Sequence, residues 1–220
     1  MVDAAVCTFG MFALLEGETQ RAASETNENR LDTMNKEILK DLYRYEGKAC
    51  RSLKTQLRYL LFTPGFQFSY LFRKATQASN MFSKIWWRLL HRWCMVRTGI
   101  QIPIGTQIGE GFRIAHFGTI VVNPKAKIGK NFTIAEGCLI GNAQGKHKGI
   151  PTIGDNVQMS ANSIILGGVT VGNDVLLAPG AFVNFDVPDN SIVIGNPGQI
   201  IQRDSSPTRK YIVYSVNDFE

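Results

Sequence analysis

Few side chains in this chain have the types and settings that chemistry needs. Its three histidines, His91, His116 and His147, and its four cysteines, Cys7, Cys50, Cys94 and Cys138, are widely separated. An imidazole with its ordinary pKa of about 6.5 is mostly neutral and basic near pH 7, so a histidine suits the task of taking a proton from a hydroxyl. The scatter of histidines lacks metal-finger spacing and the cysteines form no CxxC pair, so no metal is expected, and reduced thiols of a cytoplasmic protein are.

These residues need a frame, and the composition says which kind. The 220 residues are 44% hydrophobic, enough for a sizeable core and too much for wholesale disorder. No apolar run reaches the roughly 18 to 20 residues that cross a bilayer; the most apolar, Tyr59 to Phe72, is interrupted by Thr63-Pro64-Gly65. Residues 1–33 read as a poorly ordered extension, rich in Glu, Thr, Asn and Ser after Leu15. Patterned sequence opens at Met34, which is therefore a candidate alternative start. Residues 34–99 carry helical spacings such as Ile38, Leu42 and Tyr45, then Ile85, Leu89 and Trp93, and form an expected α-helical domain. That stretch holds thirteen Lys and Arg against three acids, a surplus larger than the +6 of the whole chain. With Trp86, Trp87 and Trp93 beside Arg88, Arg92 and Arg97, it suits peripheral contact with an anionic membrane, or else a solvated basic face over a tryptophan-filled core. No reader motif accompanies the charge, so nucleic acid is not expected as a partner.

After Gly99 the helical spacing gives way to a period of six. Ile153, Met159, Ile165, Val171, Leu177 and Val183 open successive hexads, and the fifth position of each is Val, Ser or Ala. Six apolar residues in six such positions arise by chance with probability of roughly 0.007 at this composition. The same phase runs through Ile102, Ile108, Ile114 and Ile120, slips by two, and resumes at Ile128, Ile134 and Ile140 before an irregular Gly141–Ile150. A helix cannot hold this period on one face, since every sixth residue turns through about 240°. Short strands joined by corners can, three hexads to a coil, with the first residue inward, a small fifth residue in the narrow interior and Gly or Asn at the corners. The fold class expected is α+β: an N-terminal α-helical domain, then a parallel β-helix of hexapeptide repeats over residues 100–201, and a tail over 202–220.

This ladder, together with Ile114-Ala-His116-Phe-Gly-Thr-Ile120 and the closing Val187-Pro-Asp-Asn-Ser-Ile-Val-Ile-Gly-Asn-Pro197, resembles the left-handed β-helix acyltransferases, and among them serine O-acetyltransferase and its relatives in capsule and exopolysaccharide gene clusters. The resemblance implies a left-handed coil, acetyl-CoA as cosubstrate, and direct acetyl transfer to a hydroxyl with His116 as general base. It places CoA in a groove between prisms, past the small residues Ser160, Ala161, Gly167, Gly168 and Ala178; the family's usual lysine is absent at Asn184-Phe185, which leaves Arg203, Lys210 or the Lys146 and Lys148 loop as candidates for its phosphates. It also implies a homotrimer, with pairing of trimers a further option.

Several positions depart from the family's pattern. Where the serine enzymes orient the base with a carboxylate stands Gln101, so a backbone carbonyl, Glu110 or Glu136 is left for that task. The acidic residue before the base is Ala115, and an Arg-His pair becomes Gly149-Ile150. His147, in the glycine-rich insert, is either a substrate contact or a solvated neighbour of Lys146 and Lys148. Serine is the acceptor the family implies; a sugar hydroxyl is the alternative, and a non-catalytic β-helix scaffold is the reading outside enzymology.

Overall fold

The computed structural model describes residues 36–219. The predicted extension 1–33, Met34 and Cys7 lie outside them. Helix α1 (36–46) leads through a 3-10 turn, Gly47–Arg51, into α2 (Leu53–Phe62), α3 (Pro64–Gln77) and α4 (Met81–Thr98). The breaks follow local chemistry. Pro64 opens α3, where its missing N–H costs nothing. The Asn80 side chain accepts from the Ser83 N–H at 2.8 Å and so caps α4. Gly99, at φ 73°, ends α4 in the left-handed conformation that side chains disfavour, and its N–H reaches the Met95 carbonyl.

From Ile100 the chain winds as a triangular prism whose three sides are parallel sheets. Side A stacks β1 (Ile100–Gln101), β4 (Ile120–Val122), β7 (Leu139–Gly141), β10 (Ile164–Leu166) and β13 (Phe182–Val183). Side B stacks β2 (Gln107–Ile108), β5 (Lys127–Ile128), β8 (Thr152–Ile153) and β11 (Thr170–Val171). Side C stacks β3 (Arg113–Ile114), β6 (Thr133–Ile134), β9 (Gln158–Met159), β12 (Leu176–Leu177) and β14 (Ser191–Ile194), against which β15 (Gln199–Gln202) returns antiparallel. All six predicted hexad openers, Ile153 to Val183, are buried, as are their fifth residues Val157, Ser163, Val169, Val175, Ala181 and Val187.

Two details differ from the sequence pattern. The slip falls before β4, within residues 115–121, and not after Ile120: Val122, six residues before Ile128, carries the inward phase onward. Ile120 and Val122 are two apart on one strand, so both point inside and either fits an apolar pattern. The fifth position is not small in the early coils, where Phe112 and Phe132 stack with centroids 6.1 Å apart. They belong to one buried cluster with Phe68 and Phe72 of α3, so the helices close the prism's first coil with aromatic bulk.

The junction is also polar. Arg73 donates from Nε and Nη2 to the carboxylate of Asp41, and from Nη1 and Nη2 to the Ile108 and Gly109 carbonyls at 2.8 and 2.6 Å. Asp41 in turn accepts from the Phe112 N–H at 2.8 Å. Beyond β15 the tail runs back along the prism, where Asn131 Oδ1 accepts from the Val216 N–H, and ends with Phe219 edge-on to Tyr43.

Candidate functional site

A coil has three corners, and the ladder hydrogen bonds show which residues share an edge. Along the edge from side C to side A stand residues 115–119, 135–138, 160–163, 178–181 and 195–198, joined by Asn162 N–H to Glu136 O, Gly180 N–H to Ala161 O and Phe182 N–H to Gly195 O, each near 2.9 Å. His116 lies on this edge, and so do Ser160, Ala161 and Ala178. The His116 corner is the one widened by the two-residue slip: the first coil advances 20 residues, from Ile100 to Ile120, whereas a regular coil advances 18, from Ile164 to Phe182. The extra length pushes His116 and Phe117 into solvent.

Beneath this bulge sits Glu136. Arg113 and Ile114 pair with Thr133 and Ile134, so Glu136 follows its strand by two residues as His116 follows its own. A methyl group on Gly118 would stand 3.2 Å from the Glu136 Cβ, which shows how closely the bulge folds over the glutamate. Glu136 Oε2 is buried and, among the described residues, has no hydrogen-bond partner. Leaving such an oxygen unsatisfied carries a desolvation cost of about 1–3 kcal/mol or more, so an orphaned carboxylate oxygen at an edge marks a place for a proton-bearing group.

Neither Glu110 nor Gln101 stands here. Glu110 occupies a different edge, between sides B and C, and pairs with Lys40 and with Lys130 at 3.2 Å. Burial alone would raise its pKa, but the hydrogen bonds and charges of Lys40 and Lys130 outweigh that and lower it. Gln101 is exposed on β1, opposite Val121, with no hydrogen bond to His116. Behind β3, Tyr45 both donates to the Ile114 carbonyl and accepts from the Ile114 N–H, each at 3.0 Å, fixing the strand that leads into the His116 corner. Burial, and next the neighbouring Arg113, lower the Arg44 guanidinium to about 10.

The remaining predicted site residues are not gathered at this edge. Gly167, Gly168 and His147 lie on the edge from side A to side B. There the Gly141–Ile150 insert is pinched by an antiparallel bridge between Ala143 and Gly149, and the Gly168 N–H donates to the His147 carbonyl at 2.9 Å. Arg203 goes to the third edge, because β15 reverses direction, and there its N–H donates to the Asn190 carbonyl at 2.9 Å. Side A thus separates two groups of predicted site residues. Its outward row runs Gln101, Val121, Leu139, Ile164 and Phe182, whereas the outward row of side B is Gln107, Lys127, Thr152 and Thr170. A cavity of about 130 Å³ between the 3-10 turn and the tail, lined by Tyr43, Lys48, Arg51, Asp218 and Phe219, contains none of the predicted residues. Among the described residues no group of three or more His, Cys, Asp or Glu is placed to hold a metal.

A triangular prism of stacked hexads with an exposed histidine on one edge defines the hexapeptide-repeat β-helix class. Residues 150–184 match the family described as bacterial transferase hexapeptide (six repeats). Serine acetyltransferase of Bacillus licheniformis is 36% identical over 115 residues, 51% of this chain and 53% of that protein; the Synechococcus elongatus serine acetyltransferase is 33% identical over 67% of this chain and 61% of its own length. The putative colanic acid biosynthesis acetyltransferase WcaB of Escherichia coli is 38% identical over 46% of this chain and 63% of its own length. The chain therefore spans about half to three fifths of these curated relatives. Among solved structures, soybean serine acetyltransferase complexed with serine superposes with TM-score 0.63 at 27% identity, covering 76% of this chain and 69% of that one. The chain thus carries the hexapeptide repeat of that transferase family, and its likeness is to the serine acetyltransferases, with WcaB alongside.

Proposed function

We propose that the chain transfers an acetyl group from acetyl-CoA to a hydroxyl, with His116 as general base. The observation that carries this is the widened corner that sets His116 in solvent, one coil from the corner that holds Glu136 and its orphaned oxygen. In the reaction His116 takes the acceptor's hydroxyl proton as that oxygen attacks the thioester carbonyl; the carbon–sulfur bond breaks, and the departing thiolate takes the proton from the imidazolium. Glu136 acts through His116, holding the ring and stabilising its charged form. The small residues Ser160, Ala161 and Ala178 leave the edge below His116 open to a narrow thiol arm, and a serine acetyltransferase of the same fold has been solved in complex with CoA.

Because predicted residues stand on both borders of side A, the reading includes a trimer in which one prism's His116 edge meets a neighbour's Gly167–Gly168 edge. The apolar outward row of side A, Val121 to Phe182, supports this packing. Serine is the first acceptor, in keeping with the relatives' names. A saccharide hydroxyl is the second, favoured by Ala115 and Gly149-Ile150, which offer an amino acid no charged contact, and by the likeness to WcaB.

Thiol release from acetyl-CoA, measured with L-serine and then with nucleotide sugars and oligosaccharides, separates the acceptors. His116→Ala is expected to lose about two to four powers of ten in kcat; undiminished turnover would falsify its role, and no turnover with any acceptor would favour the scaffold. Glu136→Gln is expected to lower kcat with KM little changed. An unchanged kcat leaves Glu136 without a positioning role.

A further inference from the structure

Helix α4 is turned the wrong way round for a helix that meets water. Phe82, Ile85, Trp86, Leu89, Trp93 and Val96 fall on one arc of about 100°, the width of an ordinary core-facing stripe. Every one of them is exposed, from 52% for Ile85 to 88% for Phe82, while the face against the protein buries His91, Cys94 and Thr98. The expected tryptophan-filled core is absent: Trp86 and Trp93 point outward and Trp87 is half-buried. Arg88 and Arg92 flank one side of the stripe and Arg97 the other, its guanidinium 4.8 Å from the centre of the Trp93 ring. From Leu53 to Thr98 the chain has eight Lys and Arg and no Asp or Glu.

We infer that this face of α4 docks on the surface of an anionic lipid bilayer. The stripe needs an apolar cover and its flanks need anions. A second copy of α4 offers the first and opposes the second, since its cations would meet cations with no carboxylate on either helix. Acyl chains and lipid phosphates offer both, and indoles favour the headgroup layer where the two meet. The helix is about 27 Å long and lies in the plane of the surface; no helix among the described residues is long and apolar enough to cross a membrane.

The test uses the full chain and sucrose-loaded vesicles of phosphatidylcholine, alone or mixed seven to three with phosphatidylglycerol. Cosedimentation is expected to be at least about tenfold stronger with the anionic vesicles and to weaken as salt rises from about 50 to 500 mM. Leu89→Glu, and Trp86→Ala with Trp93→Ala, are expected to reduce it about tenfold with an unchanged melting temperature, because these side chains are exposed. Absence of binding, or binding indifferent to these changes, overturns the proposal. Iodide quenching without lipid, in a Trp87→Phe background, tests the other covers. Open access of Trp86 and Trp93 supports the proposal. Shielding that grows with protein concentration assigns the stripe to a second copy, and shielding independent of concentration assigns it to another segment of this chain. Turnover is not the readout, so failure here leaves the acetyl-transfer reading standing.

Discussion

The prism and helix α4 both display a regular apolar stripe, and they turn it in opposite directions. In the prism every sixth residue goes inside, so that Ile153, Met159, Ile165, Val171, Leu177 and Val183 are all buried. In α4 the stripe Phe82 to Val96 faces out, and the side against the protein is built around a histidine, a cysteine and a threonine. Periodicity thus identifies residues that share a face, but not what covers that face. A coil must bury its own inward row because no other arrangement leaves room for it. A single helix has no inside and takes its cover from whatever it meets.

The contrast breaks first where the two regions join. Arg73→Met removes the guanidinium that pairs with the fully buried Asp41 together with two bonds to prism carbonyls, and is expected to cost about 3–5 kcal/mol in urea unfolding. A cost under about 1 kcal/mol would mean that this ion pair does not hold the helices to the prism.

The two stripes themselves should differ under the same truncation. Ile165→Ala, inside the prism, is expected to lose about 2–5 kcal/mol, and Leu89→Ala, on the outward stripe, to stay within about 0.5 kcal/mol. Equal losses would show α4's outward face to be covered in solution.

Acid sharpens the comparison from the helical side. His91 packs against Phe68 and Phe72, its Nε2 buried with no partner among the described residues, and burial lowers its pKa from 6.5 to about 4. Between those values the unfolded chain binds the extra proton and the folded chain does not, so stability falls as pH drops through this window. From pH 7 to 5 the loss is on the order of 2 kcal/mol, read as a lower melting temperature; His91→Leu should remove most of that dependence.

Much of the fold was legible because hexad spacing is a local property repeated many times. The helical segment, the inward ladder and the irregular insert can all be read directly from the residues. The place of the slip could not, since Ile120 and Val122 both point inward and either continues the count. Phe112 and Phe132 defied the rule of small fifth residues because Phe68 and Phe72, some forty to sixty residues earlier, share their space. His116 was singled out by its motif, whereas Glu136 stood beside Glu110 and a backbone carbonyl as candidates that sequence could not rank. Coil lengths of 20, 18, 25 and 18 residues decide which residues share an edge, and those lengths depend on where the extra residues loop out.

By itself the sequence determined that residues from about 100 onward wind as stacked hexads, because a period of six is compatible with short strands and incompatible with a buried helical face. Only the tertiary structure decided that Glu110 is held by lysines on one edge while Glu136 shares another with His116, one coil apart, that Arg203 is carried off by a reversing strand, and that α4 faces outward. These are outcomes of which distant segments meet, and the free energy of a contact belongs to both partners, so it cannot be read from either stretch alone.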